Sequence, residues 1–95
     1  MFENYFKINN LIDTMGRPDV ISLGDYKVTV KYNVCTPFGK LLYEKEIVIH
    51  KNNTVAFYIQ IDDKGFYLSG YNPEFQSEEV LTDVVDKLEA LTGEQ

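Results

Sequence analysis

One histidine, His50, and one cysteine, Cys35, are the only side chains in this chain that could form a nucleophilic pair at neutral pH. A thiol needs a base or cation beside it to become a thiolate near neutrality. His50 is followed by Lys51 and Asn52 at the end of an apolar run, and Cys35 opens a loop, Cys35 to Lys40, punctuated by Pro37 and Gly39. Nothing in that placement activates either group. Each reads more simply, as a surface histidine at a hairpin end and a small half-buried thiol. No His or Cys spacing suits zinc, and Asp62-Asp63-Lys64-Gly65 lacks the alternating oxygen ligands of a calcium loop. There is no glycine-rich phosphate cradle. Paired carboxylates abound, but they fall where a solvated helix face is expected, and nothing there would raise one pKa above another. The expectation is a protein with no catalytic residues, no metal and no cofactor.

Charge is distributed unevenly. Residues 72 to 95 hold seven acids, Glu74, Glu78, Glu79, Asp83, Asp86, Glu89 and Glu94, against Lys87 alone, whereas residues 1 to 71 hold eight of each sign. The last quarter therefore accounts for the whole net charge of −6. Such a surface repels nucleic acid and anionic membranes and attracts basic protein surfaces. With 95 residues, 44% hydrophobic and 14% aromatic, the chain suits one domain, 1–95, around one core. A single cysteine, no membrane-length apolar run and an MFENYF start without a secretory pattern lead to an expected cytoplasmic location. Lysine, asparagine and isoleucine usage fits an AT-rich genome, that of a low-GC bacterium or its phages.

The elements that must position these groups follow from periodicity. Tyr26, Val28, Val30, Tyr32 and Val34 alternate with polar residues, as a strand with one dry face does. A second run, Leu41 to His50, puts Leu41, Tyr43, Ile47 and Ile49 on that side, with Lys45 intruding so that its stem covers apolar surface. Lys51-Asn52-Asn53 reads as a three-residue loop that pairs Ile49 with Val55. The third run turns Val55, Phe57, Ile59 and Ile61 inward and Ala56, Tyr58 and Gln60 outward. After the Asp62–Gly65 turn, Ile61 should pair with Phe66 and Ile59 with Leu68.

Beyond Asn72-Pro73, with Ser77 as N-cap, Val80, Leu81, Val84, Val85, Leu88 and Leu91 recur at helical spacing until Gly93. Tyr5, Ile8, Leu11, Ile12 and Met15 predict a shorter helix ended by Gly16 and Pro18, and Val20, Ile21 and Leu23 allow an extended lead-in or an edge strand. The fold class is α+β: a single-layer four-stranded antiparallel meander with both helices on one face, in the order αββββα.

That order resembles double-stranded-RNA-binding domains, which carry a basic cluster at the start of the closing helix. Here the position reads Ser77-Glu78-Glu79, a sign that opposes phosphate binding, so direct nucleic-acid binding is not expected. Two surfaces remain. One is the acidic helix face, Glu78, Glu79, Asp83, Asp86 and Glu89, in which Asp86 and Glu89 approach the negative helix end where acids are unfavourable. The other is the outer sheet face, with Leu42, Val48, Tyr58, Tyr67 and Tyr71. The first implies a small inhibitor-like binding protein, comparable to anti-restriction or anti-CRISPR proteins, whose partner is a basic, nucleic-acid-handling protein. The second implies an assembly subunit, such as a homodimer, joined through the sheet.

Overall fold

Helix-breaking residues set the boundaries of the first element. The structure, a computed structural model, describes residues 2–71 and 77–93. Helix α1, Phe2–Thr14, ends before Gly16, whose φ of 85° lies in the left-handed region that closes helices and that glycine enters without a Cβ clash. Strands β1 (Val20–Leu23), β2 (Tyr26–Cys35), β3 (Leu41–Lys51), β4 (Thr54–Asp62) and β5 (Gly65–Tyr71) follow, and α2 spans Ser77–Thr92 up to Gly93. The helix, four-strand meander and helix form in the order that the periodicity predicts. Val20–Leu23 pairs with β2 as an additional short edge strand, so the sheet runs β1-β2-β3-β4-β5 with every pair antiparallel. The Asn72-Pro73 loop and the Ser77 side chain lie outside the described residues.

Register is set by turns and bulges. Across β4 and β5, Ile61 pairs with Phe66 and Ile59 with Leu68, as the alternation requires. The β3–β4 hairpin differs from expectation. Its loop is the two residues Asn52 and Asn53, with φ of 50° and 66°, between the pair Lys51 and Thr54. Two successive positive φ values match the right-handed twist of the strands, and asparagine tolerates them. The shorter loop pairs His50, not Ile49, with Val55, and the register then shifts so that Ile49 pairs with Phe57. Ala56 is the extra residue of this bulge. As a result Ala56 is fully buried in the core while Val55 is half-buried opposite His50, the reverse of simple alternation.

One apolar layer joins the helices to the sheet. Tyr5, Ile8, Leu11 and Ile12 of α1 and Val80, Leu81, Val84, Val85 and Leu88 of α2 pack in one cluster with Ile21, Val28, Ile47, Ile49, Phe57 and Ile59. Leu91, the last apolar residue of the α2 stripe, is 55% exposed. The two helices run side by side in the same direction. At their starts the Asn4 amide donates to Glu78 (3.4 Å), and further along Lys7, Asn10 and Leu11 share a hollow with Glu89. No polar side chain is buried among the described residues.

Candidate binding surfaces

The five acids of α2 divide by direction. At 100° per residue Glu79, Asp83 and Asp86 fall within roughly 60° of one another, while Glu78 and Glu89 lie to one flank. The structure uses these directions differently. Glu78 accepts from Asn4, and Glu89, half-buried, borders the hollow shared with α1. Asp83 accepts a hydrogen bond of 3.1 Å from the Tyr26 hydroxyl at the start of β2. Burial, this hydrogen bond and the charges of Asp83, Asp25 and Glu79 push the Tyr26 phenol up to about 12. Glu79 and Asp86 are exposed and make no hydrogen bond or ion pair among the described residues. They form the part of the acidic face most available to a partner, and the last turn of α2 contains no basic residue.

The two chemically reactive side chains are far apart. Cys35 pairs with Leu41 at one end of β3, and His50 lies near the other end. At about 3.3 Å per residue the two are separated by roughly 30 Å, which excludes a nucleophilic pair. Cys35 is exposed rather than half-buried, and its thiol donates to the Asn33 carbonyl at 3.3 Å. His50 stands opposite Lys27, and burial followed by that lysine's charge lowers its pKa from the ordinary 6.5. No group of three or more possible metal ligands occurs among the described residues.

On the outer sheet face, register aligns Val20, Thr29, Val48, Tyr58 and Gly70 in one row across all five strands. Val48 is only 6% exposed although it stands outside the core cluster, while Tyr58 is 39% exposed. Polar residues flank the row, with Lys27 and His50 on one side and Lys31, Glu46 and Gln60 on the other. The Gln60 amide donates to Glu46 at 3.0 Å. Leu42 lies six positions along β3 from Val48, roughly 20 Å away, so the structure does not bring the two together. The side chains of Tyr67 and Tyr71 lie outside the described residues.

Lys45 fulfils its role as an inward lysine. Its side chain is 12% exposed, and its ammonium reaches α1, donating to Asn9 and Asp13 at 2.6 Å each. Beside it Tyr32 donates to the Pro18 carbonyl at 3.1 Å and carries the Arg17 guanidinium 4.1 Å above its ring. These contacts fix the end of α1 to the sheet where β2 and β3 leave their neighbours.

Pairing of β1 with β2 stops at Thr29, and pairing of β3 with β4 starts at Lys45. Residues 33–44 thus form a two-stranded arm. Asn33, with φ of 53°, marks its base. At its tip Phe38 is 98% exposed, with Leu41 at 49% and Leu42 at 45%. This apolar tip is not visible as a site in the alternation pattern. The clue is Pro37-Phe38-Gly39, a turn sequence that puts an aromatic where no strand can cover it.

Compared with known proteins, the chain matches no family model, no curated protein and no solved structure. No helix among the described residues is long and apolar enough to cross a membrane.

Proposed function

We propose that this protein is a non-enzymatic binding domain that presents the outward row of α2, centred on Glu79 and Asp86, to a basic surface on a partner protein. The observation that supports this reading is the division of labour among the acids. All four of Glu78, Glu79, Asp83 and Asp86 are exposed, but Glu78 and Asp83 accept hydrogen bonds within the fold, whereas Glu79 and Asp86 accept none among the described residues. Concentrated negative charge of this kind accelerates encounter with a cationic groove and rejects like-charged partners. Its concrete form is an inhibitor that fills the Lys/Arg groove in which a nucleic-acid-handling protein normally binds phosphates.

The test is affinity capture from a low-GC bacterial lysate with the wild type and with the Glu79→Lys/Asp86→Lys double variant. Both substitutions leave the Tyr26–Asp83 and Asn4–Glu78 bonds in place. The expected result is a basic protein held by the wild type at low salt, released by heparin and by high salt, and not captured by the variant. Capture of the same partners by the variant would refute the reading.

A further inference from the structure

The two edges of the sheet differ. At the β5 edge the ladder is interrupted by a register shift between Tyr58 and Ile59, whereas β1 pairs with β2 from Val20 to Leu23 without one. Val20–Leu23 also contains no charged residue and no proline, so of the devices that usually blunt an edge strand it has only shortness. The Val30 amide donates to the Asp19 carbonyl at 2.9 Å, which makes Asp19 and Val30 a hydrogen-bonded pair. Bonded and non-bonded pairs alternate along an antiparallel ladder. Ile21 and Leu23 therefore turn their main-chain groups towards β2, and Val20 and Ser22 turn theirs away from it. Both residues are exposed, and no described residue bonds to those four groups.

Carboxylates gather at one end of this free edge. Leu23 pairs with Tyr26, whose hydroxyl donates to Asp83 and whose pKa is raised by burial, by that bond and by the charges of Asp83, Asp25 and Glu79. Helix α2 packs against β1, so a strand added beside β1 has the α2 flank next to it on the helix side. That flank bears Asp83, with Lys87, the only base of α2, one turn beyond. Lys51, 5.5 Å above the Tyr26 ring, belongs to β3, two strands in from the edge. On the outer face the neighbours are Val20 and Ser22, backed by Thr29 and Lys27, and Lys27 disfavours a second cation there. A cation is thus favoured on the helix side and an uncharged residue on the other.

We propose that the basic partner binds through an extended segment that adds to the sheet as a strand beside β1. Its main chain bonds to Val20 and Ser22, its Lys or Arg side chains turn towards Asp83 and Glu79, and uncharged side chains alternate with them over the outer face. This rests on the assignment of α2 to a basic partner and adds the form in which that partner binds.

Ser22→Pro separates strand addition from charge. Proline removes an N–H that the β1–β2 ladder does not use and puts its ring on the free edge, so the fold tolerates it and an added strand does not. The probe is a fluorescent decapeptide of alternating lysine and valine. It is titrated by anisotropy into wild type, Ser22→Ala, Ser22→Pro and Glu79→Lys/Asp86→Lys, each checked for folding by circular dichroism. Wild type and Ser22→Ala should bind equally, and Ser22→Pro at least about 10-fold more weakly. In the wild type the Val20 and Ser22 amides should gain protection from hydrogen exchange on binding, a readout that needs no variant. Full binding by Ser22→Pro with loss in the charge-reversed variant overturns strand addition and leaves the acidic row standing. Equal binding by all four proteins overturns both. A wild type that does not bind the peptide, or whose Val20 and Ser22 amides stay unprotected in the complex, also overturns strand addition.

Discussion

Tyr26 illustrates how one side chain joins the acidic helix to the sheet. Its ring is in the core, 3% exposed, and its hydroxyl donates to Asp83. Because its folded pKa is raised from 10.0 to about 12, the native state retains a proton that the unfolded chain loses between those values. This contribution to stability is fully present below about pH 10 and is lost as pH rises through about 12. Tyr26→Phe should cost about 1 kcal/mol near neutrality and flatten the alkaline decline, as read by urea unfolding at about pH 8 and about pH 11. His50 gives a second check of opposite sign. Its lowered pKa means that stability falls as pH drops below the ordinary histidine value, when the unfolded chain binds the proton first. Proton NMR of this sole histidine should show a midpoint below 6.5 that moves up in Lys27→Met. A midpoint unmoved by that substitution would remove Lys27 from the explanation.

Among the elements, turns separate what was legible in the sequence from what was not. Asn52 and Asn53 both occupy positive φ, a conformation that costs alanine roughly 1–2 kcal/mol. Asn53→Ala should therefore lower stability by about 1 kcal/mol in denaturant unfolding, whereas Asn53→Gly should not. Equal loss in both would show that the asparagine side chain, rather than the backbone, holds the turn. Period-two alternation disclosed β2 and β4, and the β4–β5 register from Ile59 to Asp62, because the dry face repeats without interruption between the Asp62–Gly65 turn and the shift at Tyr58/Ile59. It misassigned Val55 and Ala56 because a bulge adds one residue without changing composition, and alternation carries no marker for an insertion. Helical spacing disclosed α2 and its acidic face. The pairing of acids with Asn4 and Tyr26 was hidden, since those partners lie more than fifty residues away in the chain. The arm was hidden for a different reason. Its strands alternate like the rest, and only the extent of neighbouring strands reveals that no third strand pairs with them, although Leu41, Leu42 and Glu44 border the Asp62–Lys64 turn.

At the scale of the whole molecule, the acids are concentrated on one element. The α2 face carries them outward, the sheet's outer face has an apolar row between polar rows, and Phe38, more exposed than Phe6 and Leu91 of the helices, stands at the arm tip. Salt should therefore act on partner binding far more than on folding, since the internal fastenings are short and partly shielded whereas Glu79 and Asp86 are solvated. Glu79 lies in the first turn of α2, where an acid is favoured by about 0.3–1 kcal/mol, so the Glu79→Lys/Asp86→Lys variant should unfold within about 2 kcal/mol of wild type and stay folded. With both proteins folded, any difference in binding belongs to the surface. The deciding measurement is the heparin- and salt-challenged capture comparing wild type with this variant. The account predicts a basic partner retained by wild type at low salt and absent from the variant, and the same partner retained equally by both would contradict it.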